Sequence, residues 1–114
     1  MESRQLIKGN TQTLVLAVLR DVPQHGYAIA REIERRSESA LKFREGTLYP
    51  VLHGLERDGL VTSQWETEGG GPARKVYSLT ESGLKELERR TRTWKQFSSA
   101  IDSVIGGEPN AQPI

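Results

Sequence analysis

Residues 59–80, "GLVTSQWETEGGGPARKVYSLT", constrain this chain more than any other stretch. Before them, apolar residues recur every three or four positions, the helical period; within them the pattern alternates, the period of a strand. Val61, Ser63 and Trp65 fall on one face of "LVTSQWET", and Tyr77 and Leu79 of "RKVYSLT" are placed to pair with it. The turn-rich "EGGGPA" joins the two runs, so 60–79 is expected to form a β-hairpin with a flexible tip. Gly59 is a natural stop for the helix before the hairpin, and Thr80 is a good N-cap for the one after it.

Three helices are expected before the hairpin. "TQTLVLAVLRDV" (11–22) follows a polar cap region at Asn10 and Thr11, and Leu14, Val15, Leu16, Val18 and Leu19 leave it almost no polar side. A helix that is apolar all round needs cover on every side, more than a small three-helix domain easily gives. A partner subunit is therefore implied, with Leu14, Val15 and Val18 at the interface. In "PQHGYAIAREIERRSES", Pro23 and Gly26 make the turn, and Ile29 and Ile33 lie at helical spacing, with Tyr27 near the same stripe. The third helix lies in "REGTLYPVLHGLERDGLV" (44–61), where Leu48, Val51, Leu52 and Leu55 follow the i, i+3, i+4, i+7 pattern.

After Thr80 the helical period returns and persists. Leu84, Leu87, Thr91, Trp94, Ser98, Ile101 and Ile105 occupy heptad positions, and Phe97 and Val104 widen the seam. About 26 residues at roughly 1.5 Å each make a helix ~39 Å long. A domain of this size cannot cover it, so Leu84, Leu87, Thr91, Trp94 and Ile101 are assigned to a dimer seam. The expected fold class is mainly α with a small β-hairpin: a winged helix-turn-helix at 1–79 and a long C-terminal dimerisation helix at 80–106. Residues 107–114, rich in Gly, Pro and polar side chains, are expected to be a disordered tail.

Composition narrows the function. At 114 residues there is room for one small domain with an appendage. The chain has no cysteine, which excludes disulfides and Cys-based metal or nucleophilic sites. Apolar residues make up 35% and none of the runs approaches the roughly 18 expected of a membrane span. With no signal-peptide pattern at "MESRQLIKGN", a cytoplasmic location is the expectation. The net charge of +1 neither demands nor excludes a polyanionic partner, because a local basic face matters more than the sum. His25 and His53 are the only histidines, too few for a metal site without carboxylates at unfixed spacing. No nucleophile–base constellation or paired-carboxylate site is present, so neither an enzyme nor a cofactor is expected.

A helix that reads DNA needs one apolar face to anchor it and another with short or hydrogen-bonding side chains. Opposite Leu48, Leu52 and Leu55 stand Thr47, Tyr49, Pro50, His53, Gly54 and Arg57. Pro50 and Gly54 remove bulk, and Thr47 and Tyr49 near the N-terminus can donate to phosphate or base edges. Pro50 leaves two starts open. If Thr47 caps the helix, Pro50 falls at N3, where its missing N–H is not needed; if the helix begins near Glu45, a hydrogen bond is lost. The expectation is the former, with an irregular first turn ending at Pro50.

At the hairpin tip, Arg74 and Lys75 beside three glycines either neutralise phosphates or form a plain solvated turn. The basic run from Arg89 to Lys95 is equally a solvated face or a binding stripe. His25 beside Gly26 is a structural or a phosphate-contact residue. Trp94 is either seam packing or a flat wall of a pocket between subunits.

"HGYAIAREIE", "EGTLYPVLHGLERDGLV" and "YSLTESGLKEL" resemble the signature segments of PadR-family transcriptional regulators, in continuous order from about Leu6 to about Ile101. The short C-terminal part is similar to the subgroup with a single C-terminal helix. The resemblance implies a homodimer on roughly palindromic double-stranded operator DNA, usually acting as a repressor. By position, base-reading and phosphate contacts come from Thr47, Tyr49, Pro50 and His53, with Arg57 on the same face. Backbone contacts are added by Lys8, Tyr27, Arg74 and Lys75. Some members of the subgroup bind flat aromatic compounds between the C-terminal helices, which implies an effector site at Trp94 with Phe97 beside it. Two departures stand out: Arg44 occupies a position where many members have a small capping residue, and Thr91 and Ser98 interrupt the seam.

The function expected is a homodimeric repressor released by a small molecule, with two recognition helices in major grooves about 34 Å apart. A winged helix used only for protein contacts is the rival reading, and a small hydrolase or metalloprotein a more distant one.

Overall fold

The structure, a computed structural model, describes residues 9–67 and 70–106. Its helices are α1 (Thr11–Asp21), α2 (Gly26–Arg36), α3 (Glu45–Arg57) and α4 (Glu81–Ile105), with strands β1 (Gln24–His25), β2 (Val61–Glu66) and β3 (Arg74–Leu79). Lys8 and the tail at 107–114 lie outside the described residues.

The hairpin pairs as its alternation requires. Val61 faces Leu79, Ser63 faces Tyr77 and Trp65 faces Lys75 across an antiparallel ladder. β3 is the central strand, because β1 pairs with its other edge through Gln24–Tyr77 and His25–Val76. Pro23 and Gly26 point only to a turn at 23–26, because a two-residue strand has no alternation to betray it.

α1 corrects a larger expectation. Val15 and Leu16 are wholly buried and Val18 and Leu19 nearly so within the single chain. α2, α3, α4 and β3 all pack against α1 and enclose it. Its all-round apolarity therefore serves the chain's own core, and Val15 and Val18 have no surface left for a partner. Leu87 of α4, also placed in the dimer seam, is likewise in this core at 1% exposure. Leu14 and Ala17 are half-buried at its edge. Ile29 and Ile33 from α2, Leu48, Leu52 and Leu55 from α3, and Val61 and Tyr77 from the sheet complete one continuous cluster.

α3 also starts differently from expectation. Arg44 takes the N-cap position, without a side-chain cap bond, and Glu45 begins the helix. The Thr47 N–H donates to the Arg44 carbonyl at 2.9 Å, three residues back, so the helix opens on a tight 3₁₀-type turn, and Pro50 lies inside the helix. Pro50 cannot donate to the carbonyl of Gly46, four residues back; Gly46 is exposed, so water can take the donor's place. Glu45 adds a negative charge at the positive end of the helix. The helix ends at Arg57, and Gly59 turns the chain with φ +78° into β2.

Candidate nucleic-acid interface

α3 divides its side chains by face. Leu48, Leu52 and Leu55 are wholly buried, whereas Thr47, Tyr49, Pro50, His53 and Arg57 are exposed. Gly54, expected on the open side, is covered: the Arg57 guanidinium lies 3.4 Å from where a Cβ would stand. Pro50 and Gly46 are the residues that leave the outer surface of α3 low.

Tyr49 is held in place from two sides. Its hydroxyl donates to the Glu45 carboxylate at 2.8 Å, one turn back, and its ring lies over Gly26, 3.3 Å from the position of a Cβ there. The bond to Glu45, followed by partial burial, raises the Tyr49 pKa above the ordinary phenol value, so the group stays a donor. The ring of His53, one turn on, lies 6.3 Å from that of Tyr49.

α2 supplies the neighbouring rim. His25 caps it, its Nδ1 accepting the Ala28 N–H at 3.4 Å. Tyr27 is half exposed and stacks nearly parallel to the His25 ring, and its hydroxyl accepts from Arg31 at 2.7 Å. The sequence stripe of Ile29 and Ile33 does not include Tyr27, which points away from the core.

The wing is tied to α3 through Glu56. One carboxylate oxygen of Glu56 accepts from the Ser63 hydroxyl at 2.6 Å, and the other is 3.8 Å from Lys75 Nζ. Lys75 also lies 5.8 Å from the centre of the Tyr77 ring. Of the two wing bases, Arg74 is exposed and reaches His25, whereas Lys75 is half-buried against the helix–sheet junction.

Between α3, the start of α2 and the wing runs an open cleft of about 610 Å³. The structure thus brings Tyr27, Tyr49, His53, Arg74 and Lys75 around one space, and adds His25, Glu45, Trp65 and Tyr77. Thr47, Pro50 and Arg57 stand on α3 outside its lining. Trp65 was legible only as a strand residue; its 66% exposure next to the cleft depends on where the hairpin sits. Tyr77 is fully buried and its hydroxyl has no hydrogen-bond partner among the described residues, while burial, then the nearby Glu56 charge, raises its pKa.

A second region lies along α4. Thr80 caps the helix, accepting the Gly83 N–H at 2.9 Å. Glu86 binds Arg89 and Arg90, and Arg90 reaches across to Gln12 of α1 at 2.7 Å. These bonds, to Arg89 first, hold the Glu86 pKa at about 2, well below the usual carboxylate range. Part of the basic run is thereby spent on pairing within the chain. Beyond Arg90 the helix leaves the domain: Trp94, Phe97, Ile101, Val104 and Ile105 are all exposed, and Leu84 is 37% exposed near the start. Thr91 is half-buried. An open cleft of about 390 Å³ lies beside Trp94 and Phe97, bounded by Gly9, Asn10, Arg89, Arg90 and Thr93.

Three helices, the third with a bare outer face, followed by a wing define a winged helix-turn-helix protein with a long C-terminal arm. The profile described as the transcriptional regulator PadR-like family matches residues 15–89, and the chain belongs to that family. A transcriptional regulator of Mycobacterium tuberculosis is 34% identical over 84 residues, covering 74% of this chain and 72% of that protein. A PadR-like transcriptional regulator from Bacillus cereus superposes with a TM-score of 0.77 at 25% identity, covering 91% of this chain and 99% of that one. PadR of Bacillus subtilis, solved in complex with operator DNA, superposes with a TM-score of 0.65 at 26% identity over 71% of this chain and 46% of that one. None of the described helices is long and apolar enough to cross a membrane.

Proposed function

We propose that this regulator is a homodimer that binds a roughly palindromic operator and represses transcription. One observation carries the reading: α3 is anchored by Leu48, Leu52 and Leu55 and turns Tyr49, Pro50, His53 and Arg57 outward, with a wing fixed beside it by Glu56. A helix so mounted can enter a major groove, with hydroxyl and imidazole groups at base edges and cations at phosphates. The operator complex of Bacillus subtilis PadR supports this use of the fold.

The dimer is built on the exposed apolar side chains of α4 from Trp94 to Ile105, which the chain itself leaves without cover. Two copies packed along this seam set the separation of the two α3 helices. The seam here is Leu84, Trp94, Phe97, Ile101, Val104 and Ile105, together with Thr91. A flat aromatic effector fits the cleft beside Trp94 and Phe97; by binding two arrangements of the arms unequally it releases the DNA.

Footprinting of the purified protein on DNA upstream of its own gene, at two salt concentrations, tests the reading. Protection of two half-sites about one helical turn apart, weakened by salt, is the expected result. A folded protein that protects no sequence and binds no duplex at low salt is instead a winged helix devoted to protein contacts.

A further inference from the structure

We propose that His25 and Arg74 together form a seat for one backbone phosphate of duplex DNA; the proposal rests on the DNA-binding reading above. The ring of His25 is approached from both ends. Its Nδ1 accepts the Ala28 N–H at 3.4 Å, and its Nε2 lies 3.0 Å from Arg74 Nη1. A guanidinium only donates, and a neutral imidazole has one lone pair and one N–H. Two donors, the Ala28 N–H and the Arg74 guanidinium, therefore meet a ring that offers one lone pair, and the ring N–H must face one of them.

The Ala28 N–H is fixed by the backbone, whereas the exposed Arg74 side chain can turn, so the conflict is resolved at the Nε2 end. Keeping the cap of α2 leaves the lone pair on Nδ1 and puts the ring proton on Nε2, facing Arg74. An oxygen placed against Nε2–H and the guanidinium accepts from both and leaves the cap intact. Water meets the geometry, but a phosphate oxygen also meets the charge of Arg74 and the positive end of the 11-residue helix α2.

The location selects DNA over a free anion. His25 and Arg74 border the cleft against α3, alongside Tyr49 and His53, where the backbone flanking a groove-bound α3 must pass. Of the nearby carboxylates, Glu45 is engaged by the Tyr49 hydroxyl and Glu32 by Arg35 and Arg36, while Glu66 stands opposite Arg74 in the β2–β3 register.

The test uses the full chain and labelled duplexes, one of mixed sequence and one from upstream of its own gene, over a salt series. His25→Asn keeps a side-chain acceptor for the cap and removes the outer N–H. It should bind about threefold to tenfold more weakly with an unchanged melting temperature, the effect of one lost hydrogen bond. Arg74→Gln should weaken binding and lower the salt slope by about one. Because both groups hold one phosphate, the double variant should bind about as weakly as Arg74→Gln alone. Wild-type binding by His25→Asn, or a double variant whose loss is the product of the two single losses, overturns the seat while leaving the DNA-binding reading intact. A wild-type chain that binds no duplex defeats both. In 15N spectra of the imidazole, duplex should shift the His25 Nε2 resonance. An equal shift with inorganic phosphate at the same concentration would assign the site to a free anion and overturn the proposal.

Discussion

The Thr80 hydroxyl donates to the Gly59 carbonyl at 2.7 Å, joining the residue that ends the α3 region to the residue that begins α4. The same oxygen accepts the Gly83 N–H, and the Thr80 N–H donates to Leu60 at 3.1 Å. The arm and the end of α3 therefore meet through one threonine at the base of the wing. Thr80→Val keeps the shape and loses both side-chain bonds. It should destabilise the protein by about 1–2 kcal/mol, the usual cost of a lost N-cap. Thr80→Ser should recover most of it in urea unfolding.

Gly83 in the first turn of α4 has no room for a side chain: a Cβ there overlaps the Leu60 carbonyl oxygen and crowds a Leu79 methyl at 2.7 Å. On an open helix, Gly→Ala stabilises by about 1 kcal/mol. Here the sign should reverse, with Gly83→Ala costing about 1–3 kcal/mol as α4 is pushed off the sheet. A chemical-denaturation midpoint that rises on this substitution would contradict the packing.

Tyr49→Ala should leave the fold intact, because the ring is 37% exposed and covers only Gly26 and the cleft wall. Loss of the ring and its donor should reduce specific DNA affinity by about tenfold or more, the scale of a base-edge contact. Circular dichroism alongside DNA titration separates the two effects.

The Glu86 carboxyl, held at about 2 by its bonds to Arg89 and Arg90, stabilises the folded chain above its unfolded value near 4.5. That contribution disappears as pH falls through the folded value. Wild type should therefore exceed Glu86→Gln by a constant margin above about pH 5, and the margin should close between pH 4.5 and 2. The pair is at the surface, so the margin should stay below about 1 kcal/mol. Urea midpoints measured across this range check it.

A charge on the outer turns of α4 should separate the proposed dimer without unfolding the domain. Val104 and Ile101 are 86% and 40% exposed in the single chain and lie outside its core. Ile101→Glu with Val104→Glu should give a folded monomer by light scattering, with DNA affinity reduced because two half-sites are no longer held together. Unchanged mass would exclude this face as the seam.

The sequence by itself determined the element order, the anchored stripe of α3, the hairpin and the length of the arm, because each rests on local periodicity and capping chemistry. Leu48, Leu52 and Leu55 were readable as an inner face from spacing alone, and so was Tyr49 as an outer residue. Local pattern does not tell which surface covers an apolar stripe, and there the tertiary structure decided. α1 was read as half of a subunit interface, but α4 and the sheet close over it, so Val15, Val18 and Leu87 fill the chain's own core. Pro50 lies in the body of the helix because Glu45 starts α3 earlier and the lost bond falls on exposed Gly46. Gly54 was read as open, yet Arg57 folds over it. The cleft joins His25 to Arg74, 49 residues apart, through the pairing of β1 with β3. A two-residue strand carries no period, so only the assembled sheet could place those donors on one ring.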